Sequence, residues 1–182
     1  MAGSQNTNAQ IIGATPAYLA VHNASVASGD FFTADDVSSM ANVAVLGPNV
    51  AATLFPDSDA LGQAFRINSQ RFRVVGVLAS KGGTGFGSTD DGVIVPLGTA
   101  QRKLFGGRAV SGGSTLVSGI AVQAKDANSV EAALGEIQQT LRTRHNLPEN
   151  GDGDDFSVIN QQDILNSVAS TTQTLTLFLG AI

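Results

Sequence analysis

The sequence predicts a mixed α+β fold, and three observations lead to this class. Apolar and polar residues alternate with the two-residue period of strands in 64–68 and 71–77. Apolar residues recur at helical spacing in 128–145 and 161–182. The chain has 182 residues, of which 42% are apolar, so it can bury a core of ordinary size without disulfides or metals. We therefore expect one domain or two small interleaved domains.

The composition excludes several classes of function. The chain carries 10 basic and 15 acidic residues and a formal net charge of −5, whereas a nucleic-acid-binding protein concentrates lysine and arginine. We therefore expect no nucleic-acid partner. The chain has no cysteine, which excludes disulfides, thiol catalysis and thiolate metal sites. Only 14% of the residues are charged, so the surface is mainly neutral and polar.

The first two thirds of the chain predict short strands that alternate with short helices. Thr15 and Pro16 are expected to start the first helix, and Thr33 with Asp36 has the spacing of a capping box at the second. The predicted order is strand 8–14, a helix to residue 19, a helix after residue 33, strand 43–46, a helix ending before Pro56, the hairpin of 64–68 with 71–77, strand 93–95 and a helix over 99–105. A glycine-rich loop over 81–92 is expected to be among the most mobile segments.

The next segment predicts a strand, a helix and a return strand within 117–160. Residues 119–125 alternate as a strand, and residues 156–158 form the return strand. Asn128 and Glu131 have the spacing of an N-terminal cap for the helix between the two strands.

A final helix is predicted from Asn160 and Asp163 to the end of the chain. Its apolar residues follow alternating steps of four and three, so they form one seam that can bury against a partner. These residues are Ile164, Val168, Leu175, Phe178 and Ile182, and Thr171 interrupts the series. Because the apolar run has no stop signal, we expect a segment cut in mid-helix whose distal part projects or dimerises. The alternative is a native C-terminal helix packed on the core.

Two loops invite a ligand-binding interpretation that their spacing does not support. The glycines of 81–88 lack the spacings of phosphate-binding loops, so a hairpin-like loop is favoured over nucleotide binding. Asn150, Asp152 and Asp154 have the spacing of the first calcium-loop ligands, but the glycine and the bidentate glutamate of that loop are absent. A solvated loop is favoured there over a weak cation site. We therefore predict neither a cofactor nor a metal site.

Candidate catalytic residues are few. A Ser-His-carboxylate arrangement needs His22 or His145 as its base, and the G-x-S-x-G motif is absent. We therefore predict no catalytic residue. In the glycine-rich loop, Phe86, Asp90 and Asp91 are the candidate residues for contact with a partner. Ordinary solvation is the alternative for the two aspartates.

A series of motifs, in order along the chain, resembles one family. The motifs are Gly29-Asp-Phe-Phe-Thr-Ala-Asp-Asp36, Val43-Ala-Val-Leu-Gly47, Thr53-Leu-Phe-Pro56, Leu61-Gly62, Phe72-Arg-Val-Val-Gly-Val-Leu78, Asp91-Gly-Val-Ile-Val-Pro96, Ile120-Ala-Val-Gln, Arg144-His145 and Asp155-Phe-Ser-Val158. Together they are similar to the periplasmic core domain of MacB-type ABC transporter permeases, in the superfamily that also contains FtsX and LolC.

The resemblance implies a two-lobe extracytoplasmic domain between two transmembrane helices. The implied parts are a porter-like strand in 1–14, a sabre-like lobe in 15–112, a porter-like unit in 113–160 and a stalk helix in 161–182 that leads to a transmembrane span. Family members carry a further strand and helix upstream of the position of Asn8. The porter-like lobe is therefore expected to be incomplete in this chain.

The resemblance also implies a noncatalytic module on the periplasmic side of the bacterial inner membrane. Such a module couples ATP hydrolysis in a cytoplasmic domain mechanically to export of a substrate or to regulation of a partner. The implied partners are its own transmembrane and ATPase domains, a second identical or homologous chain, a periplasmic adaptor and an outer-membrane channel, or neither of the last two. The alternative from another class is a free-standing periplasmic small-ligand binding protein or hydrolase that uses the glycine-rich loop as a lid.

Overall fold

The computed structural model describes residues 1–2, 5–82, 89–106, 110–111 and 114–180. The chain divides into two units, Met1–Val122 and Gln123–Ile182. Strands and helices are combined as the sequence predicts, and the last described element is a long helix. The mixed α+β class and the C-terminal helix are therefore confirmed.

The first unit contains a mixed six-stranded sheet. Its strands are β1 Gln10–Ala14, β2 Val26–Gly29, β3 Val43–Leu46, β4 Ala64–Ile67, β5 Gln70–Leu78 and β6 Gly92–Pro96. The order across the sheet is β1, β6, β3, β5, β2, and β4 also pairs with β5. The β1–β6 and β3–β5 pairs are parallel and the others antiparallel. A short ribbon of β7 Val110–Ser111 and β8 Ser114–Thr115 follows the sheet.

Short helices connect these strands. They are α1 Tyr18–Val21, α2 Ala34–Ser38, α3 Pro48–Leu54 and α4 Leu97–Thr99, which continues as a π-helical turn over Ala100–Leu104. The capping box of α2 is confirmed, because Asp36 Oδ2 accepts from the Thr33 N–H at 2.8 Å and Thr33 Oγ1 accepts from the Asp36 N–H at 3.2 Å. The predicted start of the first helix is wrong. The backbone carbonyl of Thr15 accepts a hydrogen bond from the Tyr18 N–H, but no side chain caps α1.

Strand β3 is buried on both faces, which explains its uninterrupted apolar sequence. Val43 and Val45 pack into one apolar layer of the core, and Ala44 and Leu46 into the other. The first layer also contains Phe32, Leu78 and Ile94, and the second contains Val50, Leu54, Phe65, Phe72 and Val95. The core of the first unit therefore lies on both sides of the sheet.

Strands β4 and β5 form the hairpin that the alternating pattern predicts. Phe65 lies directly opposite Phe72, and both are buried. The connection consists of Asn68 and Ser69, whose φ angles of 45° and 71° are left-handed, as a two-residue hairpin turn requires. Gln70 already pairs with Ile67, so the turn lies one residue earlier than the predicted strand bounds place it.

The second unit contains two long helices, α5 Val130–His145 and α6 Gln161–Gly180. The predicted cap of α5 is wrong by two residues. A 3-10 turn over Ala127–Ser129 precedes the helix, and Asp126 Oδ1 accepts hydrogen bonds from the N–H and the Oγ of Ser129, each at 2.9 Å. Because that extra turn precedes α5, the capping residue lies earlier than the helical pattern indicates.

The two strands predicted around α5 are absent from the described structure. Residues 119–125 and 156–158 form no strand, and Ile120 is 70% exposed. Their alternation suits a strand with one covered face, but a strand forms only when a neighbour satisfies its backbone groups. No described strand pairs with either segment. The strand-helix-strand unit is therefore wrong except for its helix.

Candidate functional site

The carboxylate of Asp90 closes the base of the glycine-rich loop. Asp90 lies in a 3-10 turn over Thr89–Asp91 and is only 3% exposed. Its Oδ2 accepts from Ser80 Oγ at 2.7 Å and from the Gly82 N–H at 3.2 Å, and its Oδ1 accepts from the Lys81 N–H at 3.1 Å. The alternative interpretation, in which Asp90 is an ordinary solvated side chain, is therefore wrong. This side chain connects the two ends of the loop.

The same hydrogen bonds keep Asp90 ionised. Donation from the Ser80 hydroxyl and from the Lys81 N–H lowers the pKa of Asp90 below its ordinary value of 3.8, and this outweighs the opposing effect of burial. The positive charge of Lys81 adds to the lowering. A carboxylate held in this way is a permanent acceptor and is poorly suited to exchange protons as a general acid or base near neutral pH.

The turn that carries Asp90 packs against the start of α3. A Cβ on Gly47 would lie 2.3 Å from the Asp90 carbonyl oxygen, so this close approach requires glycine. Asn49 Nδ2 donates to Asp91 Oδ1 at 2.9 Å, and the Asp91 side chain is exposed. Asp91 is thus the aspartate of the pair that faces solvent, and its contact with a partner stays a prediction. Phe86, the third candidate, lies outside the described residues.

The two histidines lie in different units and have separate partners. The ring of His22 lies 4.2 Å from the ring of Tyr18, and the His22 carbonyl accepts from Lys81 Nζ. Burial raises the pKa of the Tyr18 hydroxyl. His145 Nδ1 lies 2.7 Å from Asp155 Oδ1, beyond the end of α5. The described hydrogen bonds bring no serine hydroxyl to either ring, so they assemble no Ser-His-carboxylate site.

Acidic side chains of the loop after α5 form hydrogen bonds with other residues of the chain. Arg142 Nη2 and Nε lie 2.8 and 3.0 Å from the two carboxylate oxygens of Asp154. These hydrogen bonds lower the pKa of Asp154 and raise that of Arg142. Asn150 Nδ2 donates to Asp152 Oδ2 at 2.8 Å. The described residues contain no cluster of three or more histidines and carboxylates that could hold a metal.

Helix α6 carries the exposed apolar seam. It begins where the sequence predicts, because Asn160 Oδ1 accepts from the Gln162 N–H at 3.0 Å. The exposed apolar side chains of this helix are Ile164, Val168, Leu175, Leu177, Phe178 and Leu179. Phe178 alone is 71% exposed. Ile182, the last member of the predicted seam, lies outside the described residues. In the described part of the chain, no helix has both the length and the apolarity needed to cross a bilayer.

One residue of the site, Ser80, was not predicted from the sequence. Ser80, which makes the shortest of the described hydrogen bonds to Asp90, belongs to no motif that relates it to a carboxylate ten residues later. Asp90 and Asp91 are also equivalent in the sequence. Only the 3-10 turn directs one side chain inward and the other outward.

Sequence comparison finds one family model and several curated relatives that match this chain. Residues 1–140 match the family model of the MacB-like periplasmic core domain. A macrolide export ATP-binding/permease protein MacB from Bdellovibrio bacteriovorus is 34% identical over 179 residues, which is 98% of this chain and 26% of that protein. The MacB of Rhodospirillum rubrum is 38% identical over 94% of this chain and 25% of its own length. The chain thus spans about a quarter of these curated relatives.

Two solved structures have the same fold. The extracellular domain of YknZ, a noncanonic ABC-type transporter from Gram-positive bacteria, has a TM-score of 0.66 over 82% of this chain and 71% of its own. The periplasmic region of MacB from Actinobacillus actinomycetemcomitans has a TM-score of 0.65 over 93% of this chain and 70% of its own. Each is 21% identical to this chain, so the likeness concerns the fold alone. Given the match of the family model over 140 of 182 residues, this chain belongs to the MacB-like periplasmic core domain family.

Proposed function

We propose that this chain is the extracytoplasmic domain of an ABC transporter permease and that it works without catalysis. The observation that carries this proposal is the family match over residues 1–140. The internal use of Asp90, and the separate partners of the two histidines, support a role that is mechanical rather than chemical. ATP hydrolysis then belongs to another domain of the longer protein.

Helix α6 is the element that transmits movement in this proposal. Exposed large apolar side chains occur along it from Ile164 to Leu179. Apolar surface of this extent is stabilised by burial, at roughly 25 cal/mol for each Å² removed from water. We therefore expect α6 to continue into a transmembrane span, with residues 161–174 in water and 175–182 entering lipid.

The lobe assignment follows from the same proposal. Residues 15–112 form the sabre-like lobe, residues 1–14 and 113–160 contribute to the porter-like lobe, and 161–182 form the stalk. Strand β1 pairs with β6, so the first strand shares a sheet with the proposed sabre-like residues. The partners are the transmembrane and ATPase domains, a second identical or homologous chain, and, where the system is tripartite, a periplasmic adaptor and an outer-membrane channel.

The first experiment tests on which side of the inner membrane this domain lies, and it uses the full-length gene product. The chain has no cysteine, so a single Asp57→Cys variant introduces one exposed thiol into this domain. A maleimide that cannot cross the inner membrane should label it from the periplasmic side of intact cells. Labelling only after the inner membrane is lysed would contradict the proposal.

Coupling is tested by cross-linking two copies through α6. A disulfide between the copies of a Leu175→Cys variant should stop ATP-driven transport, and reduction should restore it, because the two stalks then cannot move apart. Asp57→Cys, treated in the same way, is the control and should transport normally. Unchanged transport by the fully cross-linked Leu175→Cys protein would contradict a mechanical role for this helix.

A further inference from the structure

Three arginines share the exposed face of the β4–β5 hairpin. Arg66 lies directly opposite Arg71, and Arg73 follows two residues later on the same face, opposite Ala64. All three arginines are exposed, whereas the alternate residues of the hairpin are buried in the core. We call Arg66, Arg71 and Arg73 the arginine surface. It was not singled out in the sequence, although the alternation places all three residues on the solvent side.

Arg66 and Arg71 occupy the cross-strand position at which side chains come closest. The N–H of Arg66 donates to the Met1 carbonyl at 2.8 Å, and the Arg66 carbonyl accepts from the Met1 amino group at 2.9 Å. The backbone groups of Arg66 therefore point away from β5. This makes Arg66 and Arg71 a non-hydrogen-bonded pair, in which the Cα atoms lie about 4.5 Å apart. Like charges directly opposite each other destabilise a sheet, so fold stability does not explain this pair.

The arginine surface has no ion-pair partner within the part of the chain that the structure describes. Among the described residues, none of its three side chains forms an ion pair, whereas Arg142 is held by Asp154. The chain has a net charge of −5 and only 10 basic residues, yet three of them converge on one small surface. Their guanidinium groups therefore remain available to an anion from outside the chain.

We propose that the arginine surface binds an extended acidic segment of a partner protein. Alternate residues along a strand are about 6.7 Å apart, so Arg71 and Arg73 match the spacing of alternate side chains in an extended peptide. Each guanidinium can bind a carboxylate with two parallel hydrogen bonds. Two of the cations lie along β5 and the third lies beside them on β4, and this spread of charge suits several carboxylates better than a single anion. The partner segment carries Asp or Glu at every second position, and this inference does not depend on coupling to ATP hydrolysis.

The test uses the whole 182-residue chain and a synthetic peptide. The peptide has glutamate at alternate positions and a fluorescent label, and binding is followed by anisotropy. The variant Arg66→Gln, Arg71→Gln, Arg73→Gln should bind about tenfold more weakly, because exposed charge pairs each contribute modestly. The control variant Arg102→Gln, Lys125→Gln, Arg144→Gln removes the same charge from exposed positions elsewhere, and it should bind within about twofold of the parent.

Two further measurements guard against misinterpretation. The triple arginine variant should melt no lower than the parent chain, because it removes facing like charges; this separates lost binding from lost folding. A variant with glutamate at the three positions should bind a matched peptide with lysine at alternate positions, and should lose the glutamate peptide.

Several outcomes would overturn the proposal. Equal weakening in the two triple variants would make net charge the cause. Binding to vesicles of anionic phospholipid without binding to the peptide would assign the surface to a membrane. Self-association that is lost in the arginine variant alone would assign it to a second copy of the chain.

Discussion

At the scale of single residues, the carboxylate of Asp90 holds together the two ends of the glycine-rich loop, which the sequence predicts to be mobile. Asp90 receives hydrogen bonds from three consecutive residues that follow β5, Ser80, Lys81 and Gly82. A glycine-rich segment loses much conformational entropy when its ends are fixed, and these bonds offset part of that loss. Asp90 therefore holds Ser80, Lys81 and Gly82 beside the 3-10 turn over Thr89–Asp91.

Replacing Asp90 with Asn should destabilise the first unit in a pH-dependent way. Both carboxylate oxygens accept, so an amide necessarily turns its NH₂ toward donors, and the melting temperature should fall by several degrees at pH 7. The folded-state pKa is lowered, so the stabilisation is present above the ordinary value of 3.8 and is lost as the pH falls through the lower folded-state value. The parent and the variant should therefore converge in acid. Thermal melts between pH 2 and pH 7 measure this.

Asp57→Asn is the matched control, because Asp57 is an exposed aspartate with no described hydrogen bond. Its melting curve should follow that of the parent chain at every pH. If Asp90→Asn melts like the parent at pH 7, the carboxylate does not hold the loop.

At the scale of elements, the sequence predicts local structure correctly where the residues that bond to each other are close together in the chain. The hairpin of β4 and β5 was predicted because both strands and the turn are adjacent in the chain. The capping box of Thr33 and Asp36 was predicted because its two hydrogen bonds are local. Residues 119–125 have the same alternation as β5 but no described neighbour, so their pattern gave a false strand. A period of two therefore predicts which side chains share a face, and only pairing decides whether a strand forms.

The start of α5 provides a sharp comparison between two capping residues. Asp126→Ala removes the acceptor for the Ser129 N–H and should lower the free energy of unfolding of the second unit by about 1 kcal/mol. Asn128→Ala, at the position that the helical pattern favours, should change it by a few tenths of a kcal/mol at most. Urea denaturation followed by helical circular dichroism separates the two. A larger loss for Asn128→Ala would restore the original assignment of the cap.

At the scale of the whole molecule, the chain combines a well-buried sheet with a helix on which six large apolar side chains are described as exposed. Strand β3 is buried on both faces, whereas Phe178 is 71% exposed. The sheet and the helix belong to different units. The exposed apolar side chains of α6 are available for contacts outside this chain. This is the distribution expected of a domain whose helix carries movement away from it, as we propose.

The variant Thr171→Pro tests that proposal at the middle of α6. Proline removes a backbone N–H and clashes with the preceding turn, at a cost of about 3 kcal/mol in a helix interior. The sheet of the first unit should melt as before, because Thr171 lies in the other unit. In the full-length protein, we expect ATP hydrolysis to continue while ATP-driven export falls to background, because an interrupted rod cannot transmit movement. Thr171→Ala keeps the helix and should export normally, which also controls for loss of the hydroxyl. Normal export by Thr171→Pro would show that α6 is not the transmitting element.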